Sequence, residues 1–100
     1  MSVVEVKSLA HHNQIVTQQP AALIFFGSQG CHYCKEMKPF VAEMAKKHGH
    51  IAFAHVDTNK IEVENLAAVP MFVGYKNGEP IEVVRGADKK QLQSLFGKLT

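Results

Sequence analysis

The hydrophobic residues of this chain follow two patterns, short continuous runs and longer segments of helical spacing. Continuous runs are typical of strands that are buried on both faces of a sheet. The run at residues 21–26 and four less regular apolar segments, at residues 3–6, 51–56, 71–75 and 81–85, predict five strands. The segments of helical spacing predict four helices, at residues 8–18, 31–49, 57–67 and 88–99.

Cap and turn residues mark the ends of several of these elements. Ser8 and Asp88 are suitable N-cap residues for the first and last helices. Asn77-Gly78 predicts a hairpin turn between the last two strands, and Leu9 is expected on the inward face of the first helix. The order β-α-β-α-β-α-β-β-α predicts an α/β fold with a central, largely parallel sheet and an antiparallel edge.

Length and composition narrow the class of protein. The chain has 100 residues, of which 46% are apolar and 20% charged, a balance that predicts one globular domain over residues 1–100. The formal net charge of +2 is too small to indicate nucleic acid as a main partner. No apolar run approaches the ~18 residues of a membrane span, and no signal peptide is visible at the start. We therefore expect a cytoplasmic protein without a membrane or nucleic-acid partner.

The two cysteines, Cys31 and Cys34, come at the start of the second predicted helix, after a buried strand. A disulfide between them closes a very short loop and constrains the unfolded chain little, so reactivity is the better reason for the pair. Free N–H groups at a helix N-terminus favour a thiolate, which is the nucleophilic form of cysteine. We expect Cys31 to attack a disulfide and Cys34, one turn later, to resolve the mixed disulfide.

Two other interpretations of the cysteine pair compete with redox chemistry. A zinc site needs four ligands, but there is no second cysteine pair, and His11-His12 lie on another predicted helix. Inert core thiols are disfavoured by the glycine before the motif and by the polar-capable residues inside it. We therefore expect no metal and no other cofactor.

Three further histidines have ordinary structural explanations. His48 and His50 flank Gly49 in a predicted turn, where solvent exposure is expected. His55 falls in a buried strand, where we expect a hydrogen-bonded core residue rather than a proton shuttle.

Several motifs occur in the order, and near the spacing, of one known family. They are Phe25-Phe26, Cys31-His32-Tyr33-Cys34-Lys35, Pro39, Val56-Asp57, Val69-Pro70, Lys76-Asn77-Gly78-Glu79 and Gly86. On these residues the chain resembles thioredoxin along almost its whole length. The resemblance implies the thioredoxin fold, a central mixed and mostly parallel sheet flanked by helices. It also implies thiol–disulfide oxidoreductase activity.

The resemblance further implies a surface on which partners dock. The Val69-Pro70 peptide bond would be cis and face the dithiol, leaving the preceding backbone free to pair with a substrate strand. The implied docking residues around the exposed sulfur are Gly30, His32, Tyr33, Val69, Pro70, Gly86 and Ala87. The implied partners are client proteins with disulfides or thiols and an electron donor, either a reductase or glutathione. We expect a monomer.

Departures from the family pattern lead to two hypotheses. Gly30 and His32-Tyr33 replace the usual tryptophan and Gly-Pro, while Phe25 and Phe53 replace a buried aspartate and its lysine partner. A protonated histidine inside the motif stabilises the first thiolate, which predicts a less reducing potential than that of a typical thioredoxin. Without the carboxylate, the proton of the second cysteine must go elsewhere, with water and His32 as the candidate routes, and slow release of the partner is expected.

Three functions remain open at this point. Both cysteines and Pro70 favour a protein disulfide oxidoreductase that works through Cys31 and Cys34. One alternative is a non-catalytic binding module on the same scaffold. The other is a glutaredoxin-like, glutathione-dependent protein, for which Tyr33 is the only support.

Overall fold

A five-stranded sheet with helices on both faces forms the framework of the protein. The structure is a computed structural model that describes residues 2–100. In chain order the elements are β1 (Val4–Glu5), α1 (Leu9–Gln18), β2 (Ala21–Gly27), α2 (His32–Lys47), β3 (Ala52–Asp57), β4 (Met71–Lys76), β5 (Glu79–Arg85) and α3 (Lys89–Leu99). None of the helices described is long and apolar enough to cross a membrane.

The strands are arranged in the order β1-β3-β2-β4-β5. The pairings β1–β3 and β2–β3 are parallel, whereas β2–β4 and β4–β5 are antiparallel. The predicted α/β fold, with a mixed sheet and an antiparallel edge, is therefore confirmed. Its centre is β2, which leads directly into the cysteine motif.

The central strand β2 is buried at every position because both faces of the sheet are covered. Leu23 and Phe25 belong to a core shared with α2 and α3. Ala22, Ile24 and Phe26 belong to a second core, shared with α1 and with the segment after β3. The alternation of side chains along a strand thus explains the unbroken apolar run in the sequence.

Helix α3 lies tightly against β4. Its apolar face, Leu92, Leu95, Phe96 and Leu99, is buried as the spacing predicts. A Cβ atom on Gly74 of β4 would come within 2.7 Å of Leu95 Cδ1. A side chain at position 74 would therefore collide with the helix.

The predicted helix at residues 57–67 is wrong, because the chain between β3 and β4 runs through turns and irregular segments. The Asp57 carboxylate accepts the N–H of Asn59 at 2.9 Å, a local bond that competes with helix formation. Asn65 has a φ of +63°, a left-handed conformation that cannot continue a right-handed helix. Asp57 therefore closes a turn after β3 instead of capping a helix.

Helix α1 matches its prediction except at its first residue. Ser8 is the N-cap, Val16 is buried and Ile15 partly buried. Leu9, expected inward, is instead 54% exposed. It lies in the first turn and lines a surface cleft that includes Val6 rather than entering the core.

Candidate active site

The two cysteines lie where β2 ends and α2 begins. Cys31 is the N-cap residue of α2 and is partly buried, whereas Cys34 in the first turn is 1% exposed. A disulfide joins them, with the two Cα atoms 5.2 Å apart. Cys31 Sγ also accepts the backbone N–H of Cys34 at 3.1 Å. A helix N-terminal donor thus points at this sulfur, which favours the thiolate when the pair is reduced.

Hydrogen bonds hold the loop before the motif to the end of β3. The backbone N–H of Gln29 donates to Asn59 Oδ1 at 2.7 Å, and its side-chain amide donates to Asp57 Oδ2 at 3.0 Å. The bond from Gln29, aided by the Asn59 N–H, lowers the pKa of Asp57 although burial opposes this. The charged Asp57 therefore anchors the loop, a role that the sequence did not indicate.

The residues between the cysteines both face solvent. The imidazole of His32 places Nε2 3.1 Å from Glu36 Oε1, one helical turn later. Tyr33 is 59% exposed, and its ring meets that of His32 edge-on at 5.5 Å between centroids. The imidazole beside Cys31 therefore has a carboxylate as its neighbour on the exposed face of α2.

Strand pairing places a second loop at the same end of the strands as the dithiol. Phe26, near the end of β2, pairs with Met71 at the start of β4. The Val69–Pro70 peptide bond just before Met71 is cis, as the resemblance implied. Gly86, after β5, donates its N–H to the Pro70 carbonyl at 2.9 Å. The cis-proline loop and the end of β5 therefore meet beside the end of β2.

The remaining docking residues of the sequence analysis are less closely fixed. Val69 packs on the same core cluster as Cys31. Gly86 has a φ of +87°, which favours glycine at this turn. Gly30 and Ala87 are exposed in the loops on either side, so only the position of their loops connects them with the dithiol.

The sheet beside the dithiol carries an imidazole–carboxylate pair that the sequence analysis missed. Phe25 and Phe53 are buried, and Phe25 stacks on Phe72 with centroids 4.8 Å apart. His55 is hydrogen-bonded core, as expected, because its Nδ1 lies 2.9 Å and 3.1 Å from the two carboxylate oxygens of Glu5. The parallel register of β1 and β3 sets Glu5 opposite His55, and no local sequence pattern indicates that register.

The other histidines do not gather around a site. Among residues 2–100, no three His, Cys, Asp or Glu side chains are grouped so that they could hold a metal ion. His50 is exposed as expected. His48 is only partly exposed, because its ring packs 5.2 Å from that of Phe96.

Disulfide exchange needs two thiols that can close a bond, together with a surface that admits another chain. A cysteine pair at a helix start beside the cis-proline loop defines the class, a thiol–disulfide oxidoreductase. The family model of thioredoxin matches residues 2–98. The protein belongs to the thioredoxin family.

Individual thioredoxins are similar over nearly the whole chain. Thioredoxin 1 of Plasmodium falciparum is 31% identical over 97 residues, which cover 93% of each chain. The solved structure of Plasmodium falciparum thioredoxin superposes with a TM-score of 0.91 at 30% identity, covering 98% of this chain and 100% of that one. The Malassezia sympodialis thioredoxin structure gives a TM-score of 0.89 at 26% identity, covering 99% and 94%.

The predicted fold and activity are therefore confirmed at the level of the family. The protein is a thiol–disulfide oxidoreductase, and its redox-active pair is Cys31 and Cys34. Members of the family reduce the disulfides of client proteins with electrons that a reductase supplies.

Proposed function

We propose that Cys31 is the attacking cysteine and Cys34 the resolving cysteine in a cycle that reduces disulfides of client proteins. The observation that carries this assignment is the difference between the two sulfurs. Cys31 is the partly exposed N-cap whose Sγ receives a backbone N–H, whereas Cys34 is 1% exposed. An incoming chain can reach the first sulfur, and the second is one helical turn away for the internal step.

The cycle balances without a cofactor. The Cys31 thiolate attacks one sulfur of the client disulfide, and the client's other sulfur leaves with the electron pair and takes up a proton. The Cys34 thiolate then attacks Cys31 Sγ, so the intramolecular disulfide forms and the client's second sulfur leaves. The client gains two electrons, and a thiol donor later restores the dithiol.

The docking surface that we propose surrounds the Cys31 sulfur. Its centre is the cis Val69–Pro70 loop, to which Gly86 is hydrogen-bonded. An extended client segment would pair with the backbone before Pro70, in the manner of strand addition at a sheet edge. His32 and Tyr33 form the helix side of the surface, and Gly30 and Ala87 complete it.

We propose a reductase or glutathione as the electron donor, since either supplies the thiol that reopens the disulfide. The protein would act in the cytoplasm as a monomer and a single domain over residues 1–100. The small formal net charge of +2 supports partners other than nucleic acid. Membranes are not among the partners proposed.

The order of the two cysteines is tested with single-serine variants and a labelled peptide that contains one disulfide. Cys34→Ser should hold the peptide in a mixed disulfide, because Cys31 can attack but nothing resolves the bond. Cys31→Ser should hold almost none. Mass spectrometry of the trapped species locates the bond, and dithiothreitol should release it. Equal trapping by both variants would contradict the assignment.

A further inference from the structure

The buried imidazole of His55 and the buried sulfur of Cys34 both pack against Gly27, at the end of β2. A Cβ atom on Gly27, the last residue of β2, would lie 3.2 Å from His55 Nε2 and 3.4 Å from Cys34 Sγ. Because Gly27 carries no side chain, nothing at that position separates the two groups. Those two contacts limit the separation of Nε2 and Sγ to a span that one water molecule can bridge.

We propose that His55 is the group that takes the proton of Cys34, with Glu5 as its positioning residue. The inference rests on Cys34 being the resolving cysteine, as proposed above. The Glu5 carboxylate lies 2.9 Å and 3.1 Å from His55 Nδ1. A charged carboxylate only accepts hydrogen bonds, so Nδ1 carries the hydrogen and Nε2 keeps the lone pair that a base needs.

The surroundings of Cys34 explain why a base is needed there. Cys34 is 1% and His55 9% exposed, and burial disfavours a charged thiolate. Phe25, whose ring centroid is 5.0 Å from that of His55, forms an apolar wall beside Gly27 and cannot accept a proton. His55 supplies the basic group that this wall lacks.

Charged groups face His55 from three elements. Glu5 reaches it from β1, Asp57 lies two residues along β3, and Lys38 of α2 lines the cleft of about 240 Å³ that His55 and Glu5 also line. The Glu5 side chain is 48% exposed, so protons can exchange with solvent through this pair.

The Cys34 S–H bond breaks, and its proton moves to His55 Nε2. The sulfur's electron pair forms the bond to Cys31 Sγ, and the bond from Cys31 to the client breaks with its pair on the client sulfur. When a donor thiolate later attacks Cys31, the pair returns to Cys34, which recovers the proton from His55.

Stopped-flow absorbance with dithiobis(nitrobenzoate) separates the two cysteines, since each displaces one coloured thionitrobenzoate. Attack by the first cysteine gives the first phase, and resolution by Cys34 gives the second. We expect His55→Gln to slow the second phase about tenfold or more and to leave the first unchanged. His50→Gln, a change of an exposed histidine in a turn, is the matched control and should alter neither phase.

The pH profile distinguishes a base from a residue that merely supports the fold. In the wild type the second phase should rise between about pH 5 and 8, where imidazoles lose protons, and then level off. In His55→Gln the rate of the second phase should keep rising up to about pH 8.5, where thiols ionise. Glu5→Gln should also slow the second phase, because an amide, which can donate as well as accept, no longer fixes the hydrogen on Nδ1. This variant keeps the test available if His55→Gln does not fold.

The experiment distinguishes a failure of the role proposed for His55 from a failure of the role proposed for Cys34. Wild type with both phases, together with an unchanged second phase and pH profile in His55→Gln, overturns the role of His55 alone. Wild type with no second phase overturns the resolving role of Cys34, and the proposal falls with it.

Discussion

His32 and His55 lie near the dithiol in different surroundings, one in solvent and one in the sheet. The His32 side chain is 77% exposed and pairs with Glu36 across one helical turn. His55 is 9% exposed and pairs with Glu5. The first is placed to influence the thiolate at the helix start, and the second is placed to handle the proton of Cys34. The slow release of the client, expected because Phe25 replaces the family's aspartate, stays a prediction. A base at His55 would offset that slowing.

The exposed histidine makes a prediction about the reduction potential. A protonated His32 stabilises the Cys31 thiolate and with it the reduced form. We expect equilibration with glutathione to give a potential less negative than about −270 mV. His32→Gln should be more reducing than the wild type, because the positive charge near the thiolate is lost.

His50→Gln is the control for the potential, since it also removes an exposed histidine but lies in the turn after α2. It should leave the potential unchanged. A wild-type value at or below about −270 mV would contradict the tuning role, as would equal values for wild type and His32→Gln.

The sequence was sufficient to predict the cysteine chemistry but not the buried Glu5–His55 pair beside it. Cys31 and Cys34 carry local signals, namely their spacing and their place between a strand and a helix, and the role of Pro70 was implied by the resemblance to thioredoxin. The pairing of Glu5 with His55 joins residues 50 positions apart. It depends on the parallel register of β1 and β3, which no local pattern specifies. Such long-range polar pairs need the fold before they can be seen.

At the scale of elements, the contact between α3 and β4 depends on the absence of a side chain at position 74. We expect Gly74→Ala to lower the free energy of unfolding by about 1–3 kcal/mol, because its Cβ would overlap Leu95 in a packed core. The cost should shrink in a Leu95→Ala background, where the overlapping atoms are gone. Urea denaturation of the four proteins of this cycle measures both effects.

Gly97→Ala is the matched control for the packing prediction. Gly97 lies in α3 with nothing within 4 Å of its Cβ position. Alanine should therefore raise the free energy of unfolding by about 0.5–1 kcal/mol through helix propensity. A Gly74→Ala protein as stable as the wild type would refute the close contact.

The elements that the sequence predicts well have strong periodic patterns. The continuous run of β2 reflects burial on both faces of the sheet, and the spaced apolar residues of α3 reflect burial of one helix face. The failed helix at residues 57–67 had weaker support. There, an Asp57 side-chain bond and the positive φ of Asn65 decided the path, and neither is visible in hydrophobic spacing.

At the scale of the whole molecule, the residues that disulfide exchange requires lie at one end of the strands. The dithiol follows β2. The antiparallel neighbour β4 begins beside the end of β2, directly after the cis Val69–Pro70 bond. Gly86, at the end of β5, ties that loop down. The parallel half of the sheet contributes His55 from β3 and Glu5 from β1. Five short strands thus bring residues from both ends of the chain to Cys31 and Cys34.

The central claim is that this cysteine pair carries electrons to protein disulfides. The most direct test is the reduction of insulin by dithiothreitol, with and without the protein. We expect the wild type to accelerate precipitation of the reduced chains, and Cys31→Ser to abolish the acceleration. Precipitation no faster than with dithiothreitol alone would contradict the claim and favour a binding module on the thioredoxin scaffold.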